Sequence, residues 1–322
     1  MLTDGCGRRI DHLRLSLTER CNLTCRYCFV DKGDRPRRLE AGLAVALVNW
    51  LAGRHGVRHV RLTGGEPLVH PQVLDIIAAL SERRVLEELT LTTNGQVLAR
   101  LAWPLRQAGL SRINVSLDTL CPKRFALITR GGVLGRTLQG IEAALAAELT
   151  PVRLNAVVQR HINDDELCRL AAWGLARGCT VRFLEVMPIG PMTETVHGRL
   201  VPATEILDRL ASEFSLTPIP TPLGQPATDY AVQSRIDGSA GVIGVIASTT
   251  RPFCRHCRRL RITAQGEILS CLFDTGGSSL AAAWDGRRLD EDLADRILQA
   301  AVMAKPYMGR RSQRRPMNSL GG

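Results

Sequence analysis

A chain of 322 residues with 45% apolar content is long enough to bury a core, either as one large α/β barrel or as two domains. No stretch of about eighteen uncharged apolar residues occurs and no apolar segment follows a positive start, so the expectation is a cytoplasmic protein without membrane partners, in which thiols stay reduced. The formal charge of +11 points to polyanions, a nucleotide triphosphate or a nucleic acid, while 4% aromatic content gives little material for base stacking.

Six short strand patterns run along the first two thirds of the chain, at 13–17, 60–63, 89–93, 113–118, 152–158 and 181–187. Helical periodicity lies between them, at 43–51, 73–80, 138–149 and 167–175. Strand and helix alternating at this spacing predict a parallel sheet with helices outside. Six units fall short of the eight of a closed barrel, so the predicted fold class is α/β, a partial (β/α)6 barrel of the TIM type.

Alternation within the strands predicts two unlike faces. Leu13, Leu15 and Leu17 oppose Arg14 and Ser16; Leu89 and Leu91 oppose Thr90, Thr92 and Asn94; Ile113, Val115 and Leu117 oppose Asn114, Ser116 and Asp118; Val152 and Leu154 oppose Arg153 and Asn155. In a parallel sheet covered by helices on one side, the polar set lines a concave interior. That interior reads as a ligand chamber. After about residue 215 the pattern changes to a proline-punctuated loop and short glycine-rich runs, so residues 1–215 are expected to form the barrel and 216–322 a separate C-terminal region.

The chemistry sits in the cysteines. Cys21, Cys25 and Cys28 form Cys-x3-Cys-x2-Cys and are followed by Gly64-Gly65-Glu66-Pro67. Iron–sulfur cubes are normally held by four cysteines, so a three-cysteine loop leaves one iron open to bind and reduce a ligand. Tyr27 beside the last cysteine suits a planar ring. This pattern implies a radical enzyme that cleaves S-adenosylmethionine (SAM). A zinc loop would need a fourth ligand, and His12, nine residues upstream, is the nearest.

Cys254, Cys257 and Cys271 form a second three-thiol set, for which zinc is the stronger rival because His256 lies inside it. Given the first set, a second iron–sulfur cluster is the better reading. The run Arg258-Arg259-Leu260-Arg261-Ile262-Thr263 follows at once, and as a strand it turns Arg259 and Arg261 to one side, where paired guanidinium forks suit phosphate oxygens.

With both cysteine sets, Gly64-Gly65-Glu66-Pro67, Thr92-Thr93-Asn94-Gly95, Ser116-Leu117-Asp118 and a terminal Gly321-Gly322 in order, the chain resembles the GTP 3′,8-cyclases end to end. These radical SAM enzymes begin molybdenum cofactor biosynthesis. The resemblance implies two [4Fe–4S] clusters at opposite ends of the partial barrel, on Cys21, Cys25 and Cys28 and on Cys254, Cys257 and Cys271. It implies SAM contacts at Tyr27, Gly65, Ser116 and Met187, with Glu66 accepting from the SAM ammonium. GTP contacts are implied at Arg14, Arg61, Thr92, Arg153, Arg259, Leu260 and Arg261, and a catalytic role for the Gly321-Gly322 tail. Arg153 and His59 stand where such enzymes commonly carry lysine. Further implied partners are a reductant protein and, downstream, cyclic pyranopterin monophosphate synthase, with the chain a monomer or homodimer. The rival functions are a radical SAM enzyme that modifies a peptide, which needs few phosphate clamps, and a metal-dependent nucleic-acid-binding protein.

Overall fold

The computed structural model describes residues 1–28, 37–82, 84–309 and 314–320. A small antiparallel hairpin opens the chain, β1 (Leu2–Thr3) and β2 (Arg9–Ile10). Six βα repeats follow: β3 (His12–Ser16) and α1 (Ala41–His55); β4 (His59–Thr63) and α2 (Val73–Glu82); β5 (Glu88–Thr93) and α3 (Leu98–Gln107); β6 (Arg112–Ser116) with α4 (Pro122–Thr129) and α5 (Leu134–Ala146); β7 (Arg153–Val158) and α6 (Leu167–Leu175); and β8 (Thr180–Glu185). After β8 come the short helix α7 (Val196–Arg199) and α8 (Ala203–Ala211).

All six strand patterns form within a residue or two at each end. The helix at 167–175 forms as expected. The one expected at 138–149 starts earlier, because Leu134 and Thr137 are buried as its first turn, and it stops at Ala146, before Glu148 takes a positive φ of 56°. Helix α3 carries Pro104 inside it, which removes a backbone donor and obscures its period.

The C-terminal segment adds strands to both ends of the same sheet. The hairpin strands β9 (Phe214–Pro218) and β10 (Thr228–Ser234) lead to β11 (Ala240–Ile246), which lies parallel to β8. At the other end β12 (Arg259–Ile262) lies parallel to β3, followed outward by the antiparallel β13 (Glu267–Leu269) and β14 (Ser278–Ser279). The parallel run is therefore β12-β3-β4-β5-β6-β7-β8-β11 within one twelve-stranded sheet. Helix α9 (Glu291–Met303) then packs outside, its Asp290 side chain capping the amide of Leu293. A last turn, α10 (Met317–Leu320), closes the described chain.

The core lies between the sheet and its helices. Leu13, Leu15, Val60, Leu62, Leu91, Ile113, Val115, Leu154, Val181 and Phe183 are all buried there against Leu47, Ile76, Leu105, Ile141 and Leu170. The opposite, concave side is left for polar groups. No described helix is long and apolar enough to cross a membrane.

Candidate active site

The first cysteine loop follows the C-terminal end of β3 and is built on the Gly64-Gly65 turn after β4. Gly65 donates to the Thr18 carbonyl at 2.6 Å and Glu66 to the Arg20 carbonyl at 2.8 Å. A Cβ on Gly64 would lie 2.5 Å from the Thr18 oxygen, and one on Gly65 2.5 Å from the oxygens of Glu19 and Arg20. Only glycine allows that approach. Buried Glu66 accepts from the amides of Leu68 (3.0 Å) and Asn94 (2.7 Å) and from the Thr93 hydroxyl (2.8 Å). It rivets the turn after β4 to the turn after β5, leaving about one lone-pair direction for an incoming ammonium.

Within the loop, Cys28 donates its amide to the Cys25 carbonyl, and the Asn94 amide group reaches Cys21 Sγ at 3.7 Å. Burial pushes the Cys25 thiol well up, with Cys28, Asp118 and Cys21 adding to it. Burial and then Cys21 push Cys28 up to about 12. The three thiols thus lie within electrostatic reach of one another, so ionising them together requires a cation. Tyr27 donates to Asp118 Oδ2 at 2.8 Å, and Asp118 Oδ1 accepts from the Val157 amide at 2.8 Å. Ser116 ends β6 beside this pair, opposite Asn155.

Behind the loop, the strand register sets arginines in rows across the concave face. Arg261, Arg14, Arg61 and Thr90 are consecutive partners, and Arg112 is the next. Arg259, His12, His59 and Glu88 form the row below. Asn114 faces Arg153, and Asn155 faces Arg182. Seven arginines share this chamber with two carboxylates: Glu88, bidentate to Arg112, and Asp229, 3.4 Å from Arg182. Burial pushes Arg61 down to about 9, helped by Arg112, Arg259, Arg182 and Arg153. It likewise lowers Arg153 and Arg261 to about 10 each and holds Arg14 well below its usual value, with neighbouring cations adding to the effect on all three. Buried Nε atoms of Arg153 and Arg182 and the Ser16 hydroxyl have no hydrogen-bond partner among the described residues. Such a chamber is set up to receive a polyanion.

Of the expected substrate contacts, Arg14, Arg61, Thr92, Arg153, Arg259 and Arg261 face this chamber. Leu260 points the other way, fully buried in the core opposite Leu13. The polar contacts of this strand come from Arg259 and Arg261.

The second cysteine set lies at the other end. Because β12 runs parallel to β3, Cys254 and Cys257 stand at the N-terminal end of the strands, and Cys271 follows the returning β13 to the same end. Cys257 donates its amide to the Cys254 carbonyl in one tight turn. Burial raises the Cys257 thiol, but Lys305, Arg259 and Arg261 outweigh it and hold the thiol below its ordinary value. Lys305 itself donates to the Arg259 carbonyl at 2.8 Å and to the Ser270 carbonyl. Asp274 accepts from the Cys271 amide and the Ser270 hydroxyl, shaping that turn.

The model of the radical SAM superfamily matches residues 15–174, and that of Molybdenum Cofactor Synthesis C matches 179–309. A GTP 3′,8-cyclase of Paenarthrobacter nicotinovorans is 44% identical over 317 residues, covering 95% of this chain and 89% of that one. A GTP 3′,8-cyclase of Pelotomaculum thermopropionicum is 38% identical over 332 residues, covering 100% of both. The chain belongs to the GTP 3′,8-cyclase family. Among solved structures, Streptococcus suis SuiB bound to S-adenosylmethionine superposes with a TM-score of 0.63 at 16% identity, over 87% of this chain and 65% of that one, a likeness of fold alone.

A GTP 3′,8-cyclase is a radical SAM enzyme with two [4Fe–4S] clusters, and the donor chemistry here suits them. Each set offers three thiols, the soft donors that iron–sulfur centres take. Among the described residues no group of three His, Cys, Asp or Glu side chains converges on a point suited to a single metal ion. His12 is engaged elsewhere, with Nδ1 2.6 Å from Asp11 and its ring stacked on His59 at 4.3 Å.

Several residues that support this cyclase site carry no motif. Arg8 binds Asp4 through Nε and donates to the carbonyls of Cys254, Pro306 and Tyr307, tying the N-terminal hairpin to the second cysteine loop. Arg112 and Arg182 sit on the expected polar stripe but were not singled out by it. Lys305 reaches only carbonyls, which no sequence pattern announces. Met187 packs against the small apolar cluster of Ile189, Leu269 and Leu320, as do Leu272, Phe273 and Met317. Gly321 and Gly322 lie outside the described residues. The turn before them is held by Arg315 on Glu267 (2.9 Å) and by Arg261 Nη1 on the Leu320 carbonyl (3.4 Å).

Proposed function

We propose that this chain binds GTP in the arginine chamber and joins its C3′ to C8, giving (8S)-3′,8-cyclo-7,8-dihydroguanosine 5′-triphosphate in the first step of molybdenum cofactor biosynthesis. The observation that carries this reading is the placement of seven arginines between two cysteine loops at opposite ends of one parallel sheet. A peptide substrate needs few such phosphate clamps. Cys21, Cys25 and Cys28 would hold the cluster that takes SAM, and Cys254, Cys257 and Cys271 the cluster that meets the guanine. When bound, the first cluster and SAM supply a one-electron reduction that ends in removal of a hydrogen atom from the ribose.

The protein's own part is binding, orientation and exclusion of water. Arg259, Arg261, Arg14 and Arg61 hold phosphate oxygens and are relieved of their mutual repulsion by doing so. Arg153 and Arg182 bring Nε donors that have no partner among the described residues. Thr92 and Ser116 line the polar stripe nearer the first loop, where Tyr27, fixed by Asp118, and the main chain at Gly65 face SAM. Holding the ribose against both the SAM side and the guanine ring is the positioning problem that such a rigid chamber solves.

Residues 1–215 in this reading supply SAM cleavage, and 216–322 supply the second cluster, the Arg259/Arg261 strand and the tail. The product passes to cyclic pyranopterin monophosphate synthase, and a reductant protein feeds the first cluster. The chain works in the cytoplasm as a monomer or homodimer, with neither nucleic acid nor membrane as a partner. Anaerobic incubation with GTP, SAM and dithionite tests the reading. A GTP-derived product of unchanged mass with a C3′–C8 bond supports it, and SAM cleavage that leaves GTP intact overturns it.

A further inference from the structure

Four arginines lie on the surface around the first cysteine loop. Arg20 and Arg26 belong to the loop, Arg130 is the left-handed residue that ends α4 (φ 53°), and Arg136 lies in the first turn of α5; all four are exposed. Backbone hydrogen bonds join them into one face, from Thr24 to the Thr129 carbonyl (3.2 Å), Arg26 to that of Ile128 (2.9 Å) and Arg136 to that of Val133 (3.1 Å). Exposed Leu127 and Val133 lie among them, at 46% and 48%. Residues 20–28 and 126–136 contain no Asp or Glu. These four arginines form no ion pair among the described residues.

Arg136 even works against its own helix, because a cation in the first turn opposes the helix dipole. The same face runs close to the cluster thiols. Gln96 exchanges two hydrogen bonds with the Val133 backbone (2.9 and 3.0 Å), and neighbouring Asn94 reaches Cys21 Sγ at 3.7 Å.

We propose that this face docks a small acidic protein that carries one electron to the first cluster. The inference rests on the reading that Cys21, Cys25 and Cys28 hold that cluster. The step balances simply: the carrier is oxidised by one electron and the cluster reduced by one, with no bond or proton moved. An apolar centre within a ring of arginines is the anatomy of a protein interface, and unpaired charges of one sign steer an oppositely charged partner. A single-stranded nucleic acid would look for stacking aromatics, which residues 20–28 and 126–136 supply only in Tyr27, itself turned in toward Asp118.

The test uses the full chain with both clusters reconstituted and a flavodoxin as the acidic carrier. The double variant Arg130→Asn, which suits the left-handed backbone, and Arg136→Glu, which suits the helix N-terminus, removes charge without burdening the fold. Calorimetric affinity for the flavodoxin should fall about tenfold, and stopped-flow reduction of the cluster by reduced flavodoxin should slow by a similar factor. Reduction by dithionite, and the SAM cleavage it drives, should stay at the wild-type rate. Arg136→Glu alone, on an exposed helix position, should shift both flavodoxin readings in the same direction. Unchanged flavodoxin affinity with intact dithionite chemistry overturns the docking surface alone, as does a DNA duplex that binds as tightly as the flavodoxin. Failure of SAM cleavage with dithionite in the wild type would instead remove the cluster reading, and this proposal with it.

Discussion

The amide of Met317 donates to the carbonyl of Cys28 at 3.2 Å, so the last turn of the chain is fastened to the first cysteine loop. Three residues on, the Leu320 carbonyl receives Arg261 from the strand that follows the second loop. The short helix α10 is therefore tied both to the first cysteine loop and to the strand that follows the second.

Removing Gly321 and Gly322 should leave folding, both clusters and GTP binding largely intact while sharply lowering the cyclised product. Two residues without a Cβ can thread a narrow space that other side chains would fill. An added peptide ending in Ser-Leu-Gly-Gly should partly restore turnover. Wild-type rates in the truncated protein would show that the tail has no part in the reaction.

Arg8 is expected to support the second cluster, because it ties Asp4 to the carbonyls of Cys254, Pro306 and Tyr307. Each hydrogen bond from a charged group contributes about 1.5–3 kcal/mol. In Arg8→Met, iron after anaerobic reconstitution should fall from about eight toward about four per chain, as loss of one cube requires. SAM cleavage should survive. Full iron content with normal cyclisation would show that the hairpin is ornamental to the site.

Either Arg259→Ala or Arg261→Ala should weaken GTP binding by about 1.5–3 kcal/mol in isothermal titration. SAM affinity should change little, since the register keeps both side chains on the rows nearer the second cysteine loop. Unchanged GTP affinity in both variants would return this strand to a merely solvated basic edge.

The repeat of strands and the partial barrel were legible because each rests on local spacing. The interior stripe was legible for the same reason: Arg14, Thr92, Ser116 and Arg153 alternate with leucine, isoleucine or valine neighbours. Arg112 and Arg182 lie on that stripe and were readable in principle. What could not be read was the pairing of strands distant in sequence. Nothing local in the glycine-rich run of β11 or the arginine run of β12 announces their parallel seats beside β8 and β3. The supports of the site stayed hidden too, since Arg8 and Lys305 act on backbone carbonyls, and any residue offers a carbonyl.

His12 gives the fold a pH dependence of known sign. Burial, then His59, Arg259 and Arg61, push its pKa down to about 3 from an ordinary 6.5. Asp11, already paired with Arg9 and Arg258, accepts the Nδ1 proton of the neutral ring. The unfolded chain therefore binds more protons between those two values, and the His12 contribution is fully present above about 6.5 and lost as pH falls toward 3. Denaturant midpoints should drop more between pH 7 and pH 5 in the wild type than in His12→Asn. Equal drops would show that this imidazole titrates as it does in water.

The central claim is that a ribose hydrogen is removed from a nucleotide held in the arginine chamber. GTP deuterated at C3′ tests it most directly, under anaerobic conditions with SAM and dithionite. The account predicts that the deuterium appears in 5′-deoxyadenosine, in step with a 3′,8-cyclised nucleotide. Deuterium retained in the nucleotide while SAM is cleaved would contradict it.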